Sequence, residues 1–275
     1  MDNKVKSLCA EDDAEFTALK KVINRKIGFN CDQYKISHFK RRIDIRLRAT
    51  KCSGYSNYAE YLKNNPKEVD ALTDTLTVNV TEFFRNQETY QALEDEVLPA
   101  IISSKRNKSI NIWSAGCSIG VEAYSVAMLL HKFLGNDFRR YRIKIIGTDI
   151  DKKSLKKAED GIYGASEIKN LTDVFLGKYF ICGENEYQVI DEIKNMTTFQ
   201  HHDLISGEDF RDFDLILCRN VTIYFERDLQ EKLYSKFYNA LNKDGFFVIG
   251  KTETLVGPSK DLFVPFNIKE RIYSR

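Results

Sequence analysis

The 275-residue chain predicts an α/β protein with a mainly parallel sheet, preceded by an all-α domain. Three observations carry this. Apolar residues recur only at helical spacing from residue 11 to about 76. From Ser109 onward, short β-rich runs alternate with helical patterns, as in βαβ units. The first of those runs ends in a turn of small residues that leads straight into a helix. The expected division is a helical domain over 1–76 and a sheet-bearing domain over 77–275, with an insertion at about 160–200.

Taken in order, Phe16, Leu19, Val22, Ile23 and Ile27 share one helical face that stops at Gly28, a residue suited to a helix C-terminus. Ile36, Phe39, Ile43 and Leu47 form the apolar face of a second helix. Ser56 is expected to cap a short helix ending near Asn64, and Pro66 to open another carrying Val69, Leu72 and Leu76. A long helix around Tyr90, Leu93, Val97 and Ile101 follows. Strands are read at 109–113, 141–147 and 213–218, and at FFVIG after the Asp244-Gly245 turn. Helices are read at 121–134 and 228–241. LFVPF and ERIYS read as a closing pair of strands. The aromatic-rich stretch 160–200 reads as a β-hairpin, turning near Gly183–Asn185, between two parallel strands.

Composition narrows the function classes. With 43% hydrophobic and 30% charged residues the chain can bury a core, which excludes disorder. No stretch approaches the ~20 apolar residues of a bilayer span. The acidic N-terminus lacks the apolar segment of a signal peptide, so a cytoplasmic protein is expected. The six cysteines lie 21 or more residues apart, which suits free thiols and not a zinc site; no metal is expected. Between residues 35 and 51, seven bases stand against one acid. That local charge of +6, on a chain of net +2, leaves −4 elsewhere. The basic stripe (Lys40, Arg41, Arg42, Arg46 and Arg48 at its centre) points to one acidic partner surface, whereas nucleic acid is disfavoured by the acidic balance of the rest.

The chemistry concentrates at strand ends. In SINIW-SAGCSIG-VEAYSVAM, the small residues from Ser114 to Gly120, Gly116 among them, follow a strand and precede a helix, where backbone amides can approach an electron-rich ligand. The next strand ends in GTDID, placing Asp149 where an acid accepts ribose hydroxyls. Together these suggest an adenosine-type ligand. A competing reading is G-x-S-x-G, the nucleophile elbow of serine hydrolases, with Ser118, Asp149 and His202 in triad order. Against it, no histidine follows His202, although at least three strands do. His201, His202 and Asp203 make a poor metal site, because adjacent strand residues point to opposite faces.

The segment Asn79-Val80-Thr81-Glu82-Phe83-Phe84-Arg85, followed by WSAGCSIGVEAYSVAM, GTDID and CRNVTIYF, resembles the chemotaxis receptor-glutamate methyltransferases, the CheR family. The similarity runs from about residue 15 to the end. It implies an N-terminal all-α domain, a Rossmann-like methyltransferase sheet and a small antiparallel β-subdomain inserted in it. It further implies S-adenosylmethionine as methyl donor, S-adenosylhomocysteine as product, and glutamate carboxylates of receptor cytoplasmic helices as acceptors. By the same resemblance Asn79, Thr81 and Arg85 contact the cofactor, Glu122 and Asp149 hold its amino-acid and ribose parts, and Asp203-Leu204 and Arg219-Asn220 flank the adenine and methionine. Tyr224 falls where a tyrosine borders the transfer site, making Arg85 and Tyr224 the candidate catalytic residues. The usual G-E-E-P-Y reads Gly120-Val121-Glu122-Ala123-Tyr124 here, and Asp203 replaces an asparagine. A non-catalytic cofactor-binding adaptor is therefore a further alternative. A monomer, with no membrane insertion, is expected.

The reaction suits these residues. A carboxylate with a pKa of about 4.3 is already ionised at pH 7, so no base is needed and the shortage of histidines is no obstacle. Charge disappears in the transition state, which favours dry walls such as Phe84 and Tyr224. Arg85 is accordingly assigned mainly to the cofactor and its geometry, and the basic stripe to receptor docking.

Overall fold

A computed structural model describes residues 2–27, 30–77 and 81–275, with the side chains of residues 2–12 excepted. The chain divides into two compact units. One comprises residues 1–78 together with Tyr224–Glu226, the other residues 79–223 and 227–275. Among the described residues, no helix is long and apolar enough to cross a membrane.

Among the described residues, four α-helices build the first unit: α1 (Asp2–Ile27), α2 (Ile36–Thr50), α3 (Tyr55–Asn64) and α4 (Pro66–Leu76). Phe16, Leu19 and Ile23 of α1 meet Phe39 and Ile43 of α2, Tyr58 and Leu62 of α3, and Leu72 of α4 in one buried core. Each such side chain contributes about 1.5–3 kcal/mol by leaving water. Gly28, expected to end α1, lies outside the described residues. Ile36 is not part of the core: it occupies the first turn of α2 and is 55% exposed. Ser56 is not the cap of α3, which starts one residue earlier. Gly54 holds the N-cap position, and the Glu15 carboxylate accepts from the Ser56 N–H at 3.3 Å.

The basic stripe rides on α2, and its members differ. Arg41 and Arg48 are exposed and Arg42 is partly so, whereas Lys40 lies over the Phe16 ring (4.8 Å) and 3.5 Å from Asp13. Arg46 departs from the docking expectation because it points inward. Its Nε and Nη2 donate to Glu68 Oε1 and Oε2 at 2.9 and 2.7 Å, and Glu68, 6% exposed, also accepts from the Tyr58 hydroxyl at 2.7 Å. Burial of Glu68 requires a paired cation, and Arg46 supplies it.

In the second unit, α5 (Gln87–Ala92), a π-helical turn (Leu93–Val97) and α6 (Leu98–Ser104) run continuously. Pro99, lacking an N–H and crowding the preceding turn, accounts for the break in what the sequence predicts as one regular helix. The chain then forms β1 (Ser109–Ala115), α7 (Val121–Leu134), β2 (Arg142–Asp149) and α8 (Lys152–Asp160). The insertion follows, with β3 (Ile162–Tyr163), β4 (Phe180–Cys182) and β5 (Tyr187–Val189). The remainder supplies β6 (Thr197–His201), β7 (Phe213–Cys218), the helix Arg227–Ala240, β8 (Leu241–Ile249), β9 (Val264–Asn267) and β10 (Ile272–Ser274).

The main sheet has the order β6-β2-β1-β7-β8-β10-β9. The first five strands are parallel, and β10 pairs antiparallel with both β8 and β9. Every residue of β7 is buried, as a strand covered on both faces requires. Asp244 (φ 70°) does not lie in a turn ahead of the strand, as expected, but within it. It sits in a bulge inside β8, where the pairing jumps from Phe213–Leu241 to Leu215–Phe246. The insertion is a three-stranded antiparallel sheet, β3-β5-β4, so the expected hairpin gains a third, two-residue strand.

Candidate functional site

Strand order reverses between β1 and β7: the chain moves from β1 outward to β2 and β6, then returns to β7 and proceeds to β8. Such a switch point opens a crevice beyond the carboxyl ends of the strands, where open α/β sheets bind ligands. Gly116, Glu122, Asp149, Arg219 and Asn220 all lie at or just beyond the carboxyl ends of β1, β2 and β7.

After β1 the chain turns sharply. Gly116 (φ 75°), Ser118 (φ 50°) and Gly120 (φ 83°) are left-handed. A Cβ at Gly116 would stand 2.4 Å from Val221 Cγ2, so glycine is required by the loop that follows β7 as well as by its own backbone. Ser118 tolerates its conformation because its N–H donates to Asp149 Oδ2 at 2.8 Å. Asp149 Oδ1 accepts from the Asp151 N–H at 2.9 Å, and Asp151 itself caps α8. Burial pushes the Asp149 carboxyl up, against the pull of these two N–H donors. Two lone pairs of a four-site carboxylate are thereby used, leaving acceptor capacity for hydroxyl donors.

Glu122 opens α7 and is 14% exposed at its side chain. Its Oε1 accepts from the Ser114 hydroxyl at 2.8 Å, and Arg219 Nη1 stands 3.3 Å from its Oε2. Burial raises its pKa above the ordinary carboxylate range, and Arg219 offsets only part of the effect. A carboxylate so placed favours a further cation, which fits the ammonium of a methionine moiety; the acceptor capacity of Asp149 fits a ribose. The residues present therefore fit S-adenosylmethionine.

Arg219 differs from a free ligand-binding side chain. Nη2 donates to the Arg85 carbonyl (2.7 Å) and to Asn86 Oδ1 (2.8 Å), and the guanidinium lies over the Tyr90 ring at 5.6 Å. Its Nε is buried and has no partner among the described residues. Arg219 thus ties Glu122 to the turn at Phe84 (φ 51°) and Asn86 (φ 63°). The Phe84 N–H donates to Ser125 Oγ on α7 at 3.0 Å. Phe84 is core: its ring, 9% exposed, meets Tyr90 and Phe175 edge-on. Arg85 and Thr81 are half-buried beside this turn, and Asn79 lies outside the described residues.

Asp203 also behaves differently from an asparagine pointing at a ligand. Its Oδ1 accepts from the Ile205 N–H at 2.9 Å and its Oδ2 from the Ser206 hydroxyl at 2.5 Å, which closes its own turn. Leu204 lines a cavity of only about 10 Å³ with Trp113, Phe210, Leu233 and Phe237. His202 stacks on Phe210 with ring centroids 4.5 Å apart and meets Trp113 edge-on. A triad would place that imidazole on Asp149, whose carboxylate is instead held by backbone amides. Tyr224 groups with the helical unit, where its carbonyl accepts from the Lys35 N–H at 2.8 Å and its ring meets His38 edge-on at 5.8 Å.

Sequence reasoning named Ser114 only as a small residue of the turn and missed Asn86 and Glu253; all three hold these groups in place. Only Ser114, inside the small-residue turn, carried a local signal. The other two reach across long stretches of sequence, Asn86 to Arg219 and Glu253 to Asn220.

A family model described as CheR methyltransferase, SAM binding domain, matches residues 79–272, and one described as CheR methyltransferase, all-alpha domain, matches residues 14–77. The chain is 33% identical to a chemotaxis protein methyltransferase of Listeria monocytogenes, over 87% of this chain and 89% of that protein. Proteins of the same description in Borreliella burgdorferi and Escherichia coli are 34% and 32% identical, covering 88% and 89% of this chain and 89% and 85% of theirs.

Proposed function

This chain belongs to the CheR methyltransferase family, and on that premise we propose that it esterifies glutamate side chains of chemotaxis receptors. It is a methyltransferase whose cofactor is S-adenosylmethionine. The observation that carries the reading is the gathering of Glu122, Asp149, Arg219 and Asn220 at one switch point, in a chain whose relatives are chemotaxis methyltransferases. When bound, the cofactor supplies a methyl group already activated on a sulfonium.

The protein's own contribution is positional. Glu122 receives the amino group, Asp149 the ribose, and the Asp203-Leu204 backbone and Asn220 flank the base and the methionine moiety. Arg219 acts as a strut that keeps Glu122 and the Arg85–Asn86 turn in register. Thr81, Asn79 and Arg85 supply further cofactor contacts, with Arg85 bordering the acceptor carboxylate. An ionised glutamate needs no base, so holding the acceptor in line is the main work, and this contributes up to ~7–11 kcal/mol.

The acceptor we propose is the acidic helical region of a receptor, met in the cytoplasm by a monomer through Lys40, Arg41, Arg42 and Arg48. Charge on that face raises the on-rate more than the affinity. Incubation of methyl-labelled cofactor with receptor-containing membranes tests the reading. Base-labile label on the receptor supports it. Label that resists base, or none on receptor, overturns it.

A further inference from the structure

The carboxyl ends of β7 and β8 are joined by a carboxylate that methyl transfer does not itself call for. Glu253 is 3% exposed and accepts four hydrogen bonds. Its Oε2 takes the N–H groups of Asn220 (2.9 Å) and Gly250 (2.6 Å), and its Oε1 takes the Thr222 hydroxyl (2.7 Å) and the Ile223 N–H (3.2 Å). The Thr222 hydroxyl also meets the Tyr234 hydroxyl at 2.8 Å. No room is left around it: a Cβ at Gly250 would lie 2.7 Å from Glu253 Oε2 and 2.9 Å from both Asn220 N and Nδ2.

A buried carboxylate is costly unless its lone pairs are filled, and here both oxygens are doubly occupied. Three of the four donors come from residues 220–223. Asn220, first among them, holds a left-handed backbone (φ 61°), a conformation that asparagine tolerates better than most residues with a side chain. Glu253 accepts from the N–H of that same residue and so anchors the turn. We propose that Glu253 is a positioning residue for the cofactor site: by fixing the turn at Asn220, it presets the conformation in which Asn220 meets the cofactor. This rests on the reading of Asn220 as a cofactor contact.

Glu253→Gln keeps the shape but turns one acceptor oxygen into a donor that faces N–H groups. The test is a double-mutant cycle in the full chain, read by calorimetric affinity for S-adenosylhomocysteine, with melting curves to confirm folding. Glu253→Gln is expected to weaken binding about tenfold, the order of one lost hydrogen bond to a charged group. In an Asn220→Ala background it is expected to have no further effect, because a residue acting through Asn220 is silent once Asn220 is gone. Additive losses, or Glu253→Gln with unchanged affinity beside a weakened Asn220→Ala, overturn the proposal. Unchanged affinity in Asn220→Ala alone removes the underlying reading of Asn220, and the proposal with it. Should Glu253→Gln not fold, Thr222→Val removes one donor to Glu253 and enters the same cycle. About threefold weaker binding that disappears beside Asn220→Ala then supports the proposal, and additivity or no change overturns it.

Discussion

Arg219 Nη1 stands 3.3 Å from Glu122 Oε2, and the two side chains are 3% and 14% exposed. Breaking one side of a buried pair leaves an uncompensated charge, at a cost of about 3–5 kcal/mol. Arg219→Ala is therefore expected to lower the unfolding free energy by about 3 kcal/mol. Glu122→Gln is expected to cost about 1 kcal/mol, since Arg219 keeps the Arg85 carbonyl and Asn86 as acceptors. Urea denaturation of the two variants checks the order; equal losses contradict it.

The raised pKa of Glu122 has a direction that calorimetry can read. Its desolvated carboxyl binds a proton more tightly folded than unfolded. The stability it contributes is present below the unfolded carboxylate value and lost as pH rises through the folded one. A cationic amino group placed beside it reverses the preference, so affinity for S-adenosylhomocysteine is expected to climb as pH rises from the unfolded carboxylate value through the raised one. Each unit of raised pKa corresponds to about tenfold. In Glu122→Gln this slope flattens; an unchanged slope assigns the titration elsewhere.

Two arginines on one helix are expected to behave oppositely. Arg46 is bound by Glu68, which Tyr58 also engages, whereas Arg41 is exposed. Arg46→Ala is expected to destabilise the helical unit by about 3 kcal/mol, and Arg41→Ala by under ~0.5 kcal/mol. Thermal melts of the two variants distinguish them.

Charge reversal at Arg41, Arg42 and Arg48 is expected to slow methylation of receptor membranes about tenfold at low salt and to leave cofactor affinity alone. Raising ionic strength toward 1 M, where the Debye length is ~3 Å, should bring variant and parent rates together. A deficit that persists at high salt points to a contact other than long-range attraction.

Much of the fold was legible because its strongest signals are local. The long apolar stretch of Val121–Leu134 and the β-rich run Phe213–Cys218, apolar but for Asp214, define their elements without reference to anything distant. What escaped was either too short or too far apart. Strand β3 has two residues, fewer than any alternating pattern needs. Arg46 reads as one more base in a stripe, because its partner lies 22 positions later. Asp203 reads as a ligand residue, yet its carboxylate is consumed by the turn it starts. The candidate site was legible at its glycines and acids. The network that holds them, through Arg219, Asn86 and Glu253, depends on which strand ends become neighbours.

The antiparallel bridge between Tyr34 and Phe225, flanked by the bonds from Lys35 N–H to the Tyr224 carbonyl and from Glu226 N–H to the Gln33 carbonyl, bears on protein engineering. A chimera that exchanges only the first 78 residues between two relatives would graft a foreign edge onto three native ones. Hybrids should inherit positions 224–226 from the same parent as the amino-terminal segment, although some 150 codons separate them.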